Sequence, residues 1–313
     1  MDWSDRIGRR LTPRDLHVFL TVAAHGNMAK AADTLAVSRP VVSKTILDLE
    51  QTLGVRLFDR ARQGVEPTLY GRALLKRSVV VFDELRQSVE EIRFLADPVA
   101  GELRVGCTEP MAAGFVAAII ANLSRRHPRW TFHTEMGSAN TLLTTLRERR
   151  CELVVARQLA DVPDTDINME ALFHEKYFVA VGPRSKWLQR RKVSLAELVD
   201  ETWILGQLET EPSSPVFEAF RALGLPVPKA TVTSNSLNIR NSLLSNRPFI
   251  TVIPGSALRF GPERSLLKAL PIDLPHHRLP IAIMTMKNRT VSPVAELFIK
   301  CARELTPLLK RAK

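Results

Sequence analysis

Residues 36–48 read AVSRPVVSKTILD, and the place of Pro40 in that run decides how the N-terminal region is read. Proline costs about 3 kcal/mol inside a helix, because it lacks an amide donor and clashes with the preceding turn, yet it is tolerated in the first turn. A helix therefore begins here, with Ser38 as its N-cap and Val42, Ile46, Leu49 and Leu53 recurring at helical spacing up to Gly54, a good terminator. Working outward, Thr12-Pro13 followed by Leu16, Phe19, Leu20 and Ala23-Ala24 predicts an amphipathic helix ending near His25-Gly26. Asn27-Met28 turns the chain. Ala29, Ala31, Ala32 and Leu35 then predict a second short helix that stops at Val37-Ser38, with small residues that let another helix approach closely.

Two short helices joined by a tight turn, the second with a polar N-terminal face, describe a helix-turn-helix whose second helix enters the major groove of DNA. On that reading Ser38 and Pro40 start the recognition helix, and Arg39, Ser43 and Lys44 project from its first turns. Arginine makes a paired hydrogen bond to guanine, while serine and lysine reach bases or phosphates. The alternative is an ordinary three-helix packing unit.

The run KAADTLAVSRPVVSKTILDLEQTLGVRLFDRARQGVEPTLYGRALL closely resembles the winged helix-turn-helix of LysR-type transcriptional regulators. A-A-x-x-L, S-x-P-x-V-S, L-E-x-x-L-G-x-x-L-F-x-R and P-T-x-x-G occur in order and at that family's spacing. It departs in carrying Lys44 where arginine is frequent and Tyr70 where alanine is usual. The resemblance implies that Leu57-Phe58 begins a wing, and that Arg60 and Arg62 reach a minor groove or flanking phosphates.

From Thr68, a plausible N-cap, the chain stays helical to about Asp97-Pro98, with Leu75, Ser78, Phe82, Leu85, Val89, Ile92 and Ala96 alternating in steps of three and four. This seam needs a cover, either a second chain or its own domain. A dimer would set two recognition helices on successive groove faces and expects an interrupted inverted repeat. The family resemblance points the same way and adds a homotetramer. The expected division is a DNA-binding domain over 1–67, a dimerisation helix over 68–97 and an effector-binding domain over 98–313.

In the C-terminal part, the segments GELRVGCT, Trp130–Met136, CELVVA, YFVAVG, TWILG, KATVTS and FITVIPG read as strands. Helices are expected over Met111–Arg126, Ala139–Arg150, Val216–Leu223 and Leu237–Ser245. Such alternation argues for parallel α/β sheets with ligand beyond the carboxyl ends of the strands. The length favours two sub-domains around a cleft, and the LysR resemblance implies a periplasmic-binding-protein-like (type 2) effector domain. Strand-to-helix junctions nominate Thr108, Ser138, Asn140 and Arg157 from one sub-domain and Gln207, Asn235 and Ser236 from the other. Each serine or asparagine is equally well a helix cap or turn residue. Arg157, a cation after an apolar strand, is the sharper nomination, suited to a carboxylate or phosphate.

The formal charge is +11, but residues 1–97 hold 15 Lys and Arg against 13 Asp and Glu, whereas residues 98–313 hold 29 against 20. Net charge alone would misplace the nucleic-acid site, and the basic balance of the second part favours an anionic effector such as an organic acid, aromatic acid or amino acid. Three cysteines at unrelated spacings fit neither a disulfide framework nor a zinc set. Cys107, near the expected pocket, reads as a buried small residue, or as a redox sensor of the kind found in one branch of the resembling family. His276-His277 lacks companions at metal-ligand spacing. No nucleophile elbow, phosphate loop or dinucleotide signature is present, so an enzyme, a cofactor and a metal are not expected. A transport solute-binding protein or a dehydratase on a similar scaffold would leave residues 12–72 unexplained. With no apolar run near a bilayer's width and no export signal, the cytoplasm is the expected compartment.

Overall fold

The computed structural model describes residues 10–61, 64–158, 166–212, 214–261, 266–275 and 280–310. The chain forms two compact units, 1–90 and 91–313.

The first unit is built on strong local signals. Helix α1 (Pro13–His25) opens on a capping box: Asp15 N–H donates to Thr12 Oγ1 (3.3 Å) and Thr12 N–H to Asp15 Oδ2 (3.0 Å). Helix α2 (Met28–Leu35) is capped by Asn27, whose Oδ1 accepts from the amides of Ala29 and Lys30. Helix α3 (Arg39–Leu53) has Ser38 at its N-cap position and Pro40 in its first turn. Ser38 makes no side-chain cap bond, so the start rests on its extended backbone and on proline's fixed φ. Phe19, Val22, Ala31, Val42, Ile46 and Leu49 close the core among the three helices. Ala31 and Ala32 are buried, and their small side chains permit the close packing expected of them.

A two-stranded antiparallel wing follows, β1 (Phe58–Ala61) and β2 (Gly64–Pro67). Its root is tied to α3 by Glu50, whose Oε1 accepts from Leu57 N–H (2.7 Å) and Phe58 N–H (3.3 Å). Thr68 donates its amide to Leu57 O (2.9 Å), and its Oγ1 accepts from Gly71 N–H (3.0 Å), starting helix α4 (Leu69–Ala96). A Cβ at Gly71 would lie 2.1 Å from Leu57 O, so this close crossing admits only glycine.

The long helix divides its seam. Ser78 is buried, and the Phe82 ring lies 5.8 Å from that of His17, so this half packs within its own unit. Val81, Leu85, Val89, Ile92 and Leu95 instead form an exposed apolar stripe.

The second unit has two lobes. In lobe I, strands β3 (Ala100–Cys107), β4 (Arg129–Met136), β5 (Leu153–Arg157) and β6 (Ile167–Phe173) combine with β12 (Ile281–Met286) in the order β4-β3-β5-β12-β6. Its helices are α5 (Glu109–Met111), running through a π-turn at Ala112–Val116 into α6 (Ala117–Arg126), then α7 (Ala139–Arg147) and α11 (Pro293–Lys310). In lobe II, β7 (Tyr177–Val181), β8 (Trp203–Leu205), β9 (Ala230–Thr233), β10 (Ile250–Pro254) and β11 (Lys268–Asp273) take the order β11-β7-β10-β8-β9. Helices α8 (Pro215–Ala222), α9 (Leu237–Asn246) and α10 (Gly255–Phe260) complete it.

Neither sheet is wholly parallel, contrary to the expectation from alternation. β3 runs parallel to β4 and β5, and β8 to β9 and β10, while β12 opposes β5 and β6, and β7 opposes β10 and β11. The opposed strands are those with which the chain enters a lobe from the other one. The sequence reading took the alternation only as far as residue 255 and missed β6, α10, β11, β12 and α11, so it could not foresee these crossings.

Candidate functional site

On the first unit, Ser38, Arg39, Pro40 and Lys44 lie exposed at the start of α3. Val42, Ile46 and Leu49, on the opposite face, are in the core, so burial of one side fixes which side is presented. Ser43 is half-buried, and its Oγ donates to Met28 Sδ at 3.4 Å, turning it partly toward α2. Arg60 is exposed on β1, and Arg62 lies outside the described residues. What sequence reasoning missed is Glu50: the second residue of the L-E-x-x-L-G motif, it fixes the wing to the recognition helix through two backbone amides.

In the second unit, parallel pairing sets Cys107 opposite both Met136 and Val155. The residues just beyond those strand ends, Thr108, Ser138 and Asn140, and Arg157 therefore gather along one edge of lobe I. Thr108 is the N-cap of α5 and makes no side-chain cap bond. Ser138 caps α7, accepting from Thr141 N–H at 3.2 Å, and Asn140 is exposed in its first turn. From lobe II, Asn235 Oδ1 accepts from Gln207 N–H (2.8 Å), and Ser236 caps α9. One bond joins the two sets: Leu237 N–H, beside Ser236, donates to Oε1 of Glu109, beside Thr108, at 2.6 Å.

Arg157 lies deeper, where the chain crosses between lobes. Its Nη2 donates to Tyr177 Oη, its guanidinium carbon lies 5.5 Å from the Tyr177 ring centroid, and its Nε is buried without a hydrogen-bond partner among the described residues. Glu175, on the β6–β7 crossover, is buried and accepts from Ser256 Oγ (2.6 Å) and Ser256 N–H (3.1 Å). Burial pushes its carboxyl up to about 7, against the lowering pull of the Ser256 bonds and of Arg157. Tyr177 is raised for the same first reason. Arg240 is buried on α9, donating to Thr251 Oγ1, Val252 O and Glu209, while Glu209 Oε2 also accepts from Gly206 N–H at 2.6 Å.

Cys107 is fully buried, and burial raises its thiol to about 11. Its burial agrees with the reading of a small packing residue. His276-His277 lies outside the described residues. Among the described residues no group of three His, Cys, Asp or Glu could hold a metal ion, and no helix is long and apolar enough to cross a membrane.

A recognition helix with a wing, a long helix, and two α/β lobes joined by two crossovers define a regulator that couples DNA binding to a small molecule. Two family models match this chain: "Bacterial regulatory helix-turn-helix protein, lysR family" over residues 13–72 and "LysR substrate binding domain" over residues 96–307. The protein belongs to the LysR family of transcriptional regulators. It is 27% identical over 307 residues to the uncharacterized HTH-type transcriptional regulator YdcI of Escherichia coli (strain K12), covering 98% of this chain and all of that one. It is 28% identical to the HTH-type transcriptional regulator GbpR of Azospirillum brasilense, covering 94% and 86%. In structure it is similar to full-length CbnR complexed with its target DNA (TM-score 0.64, 21% identity, covering 94% of this chain and 99% of that one). It is also similar to a full-length OxyR variant from Pseudomonas aeruginosa (TM-score 0.64, 21% identity, 94% and 95%). The relatives are transcriptional regulators, and this chain has their DNA-binding and effector-binding domains.

Proposed function

We propose that the protein works in the cytoplasm as a homodimer, paired further into a tetramer, which reads an interrupted inverted repeat and responds to a small anionic effector. Arg39 reads a base edge, Ser38, Ser43 and Lys44 contact bases or phosphates around it, and Arg60 and Arg62 hold the flanking groove from the wing. Residues 1–67 form the DNA-binding domain, 68–97 the dimerisation helix and 98–313 the effector domain. The exposed stripe Leu85, Val89, Ile92 and Leu95 supports the pairing, because one chain leaves it uncovered.

The observation that carries the effector reading is the gathering of Thr108, Ser138, Asn140 and Arg157 at one sheet edge, with Gln207, Asn235 and Ser236 reached across the Glu109–Leu237 bond. Arg157 supplies the charge for a carboxylate through its unpartnered Nε. A ligand spanning both lobes shifts their arrangement by its differential affinity for two states. Thermal unfolding of the full chain against organic acids, aromatic acids, amino acids and sugars tests this. An organic acid should raise the midpoint, and Arg157→Ala should abolish the rise. A rise given only by neutral sugars would refute the anionic class. For the pairing, Ile92→Asp should produce monomers in sedimentation, and an unchanged mass would refute the stripe as the interface.

A further inference from the structure

Two of the backbone donors that make lobe II attractive to an anion, Gly206 N–H and Leu237 N–H, are taken by the protein's own carboxylates. Glu209, from the same lobe, accepts from Gly206 N–H (2.6 Å) and pairs with the buried Arg240 (3.0 Å). The second is different in origin. Leu237 N–H, the first amide of the ten-residue helix α9, donates at 2.6 Å to Glu109, which belongs to lobe I and lies 128 residues away in sequence. The next cap bond of α9, Ile239 N–H to Ser236 Oγ (3.4 Å), is local and does not span lobes.

We infer that Glu109 is an interlobe latch: its carboxylate occupies the cleft at the start of α9, holds the two lobes together without effector, and is displaced when a ligand carboxylate takes Leu237 N–H. Displacement by a like group is nearly isoenergetic in hydrogen bonding, so the latch sets how tightly a ligand must bind elsewhere, at Arg157 and Thr108, before the lobes rearrange. The lobes also touch where the π-turn packs on α10, since a Cβ at Gly114 would lie 2.5 Å from Ser256 O. That contact is backbone against backbone, whereas the latch is one half-buried side chain. The role in ligand exchange rests on the cleft reading above, while the latch itself does not.

The test is a distance measurement by electron–electron resonance on the full chain, diluted with unlabelled chain, with spin labels at Glu148→Cys in lobe I and Lys229→Cys in lobe II. Both positions are exposed, and the three native cysteines are buried. The wild type should give one narrow distribution without any effector. Glu109→Ala should add a longer-distance population. Glu109→Asp should do the same, because it keeps the charge and loses the reach. Acetate, the analogue of the atoms removed, should restore the narrow distribution in Glu109→Ala and leave the wild type unchanged. Identical distributions in wild type and both variants would overturn the latch, and so would a broadened Glu109→Ala that acetate fails to narrow. Because no effector enters this experiment, its failure is distinct from a ligand panel without a hit.

Discussion

The recognition helix and the cleft are assembled on opposite plans. Ser38, Arg39, Pro40, Ser43 and Lys44 come from seven consecutive residues, and the first two turns of one helix place them together once the Val42–Ile46–Leu49 face is buried. The proposed effector cleft would draw on strand ends and helix starts from Thr108 to Ser236, and a bond between the lobes joins Glu109 to Leu237. A site made from one helix survives as long as that helix packs. A site made from two lobes depends on how the chain crosses between them, and it can therefore be switched.

The sharpest way to break this contrast is at the two glycines where backbones nearly touch. A Cβ at Gly71 would meet Leu57 O at 2.1 Å, and one at Gly182 would meet Leu244 O at 1.9 Å. Each alanine substitution should cost about 3 kcal/mol. In calorimetry of the full chain, Gly71→Ala should lower the transition of the first unit and Gly182→Ala that of the second. Either variant shifting both transitions would show that the units do not melt separately.

Next comes the crossover itself. With Glu175 raised from the ordinary 4.5 to about 7, the folded state holds a proton that the unfolded state has lost, so stability is full below pH about 4.5 and declines through pH about 7. The decline should amount to roughly 3 kcal/mol. Urea unfolding across that window should show it in the wild type, and Glu175→Gln should flatten it. A wild type whose stability rises over the same window would contradict the buried crossover carboxyl.

On the recognition side, Arg39→Ala should weaken the cognate site by about 1–3 kcal/mol and relax discrimination at one base pair. Lys44→Ala should weaken cognate and random DNA alike and lower the salt slope by about 1. Titrations at two salt concentrations separate the two, and equal losses on all DNA from Arg39→Ala would reassign it to phosphate. The smallest effect belongs to the surface. Arg303 makes a bidentate pair with Glu170 (2.6 and 2.7 Å), but both side chains are more than a third exposed, so Arg303→Ala should cost less than about 1 kcal/mol in thermal unfolding.

Much of the first unit was legible because its signals are local. The Thr12–Asp15 box, Asn27, Pro40 and Gly54 act within a few residues, and the helices they predict are present to within about two positions. Glu50 escaped because its partners, Leu57 and Phe58, lie beyond a turn whose geometry no periodicity reveals. The seam of α4 was half misread for a related reason: Ser78 and Phe82 have the spacing of an interface but are spent on the unit's own packing. In the second unit the strands up to β10, β6 excepted, were read from apolar runs, yet β12, equally apolar as IAIMTM, was missed and with it the mixed sheets.

Sequence by itself determined the helix-turn-helix, its exposed basic start and the α/β character of the rest, since propensity, capping and periodicity act over a turn or a strand. Tertiary structure alone decided which strands oppose, that Glu175 is sealed against Ser256, and that Glu109 spans the lobes to Leu237. Those contacts join residues 81 and 128 positions apart, and their energy comes from burial and hydrogen-bond geometry that exist only once both lobes are folded.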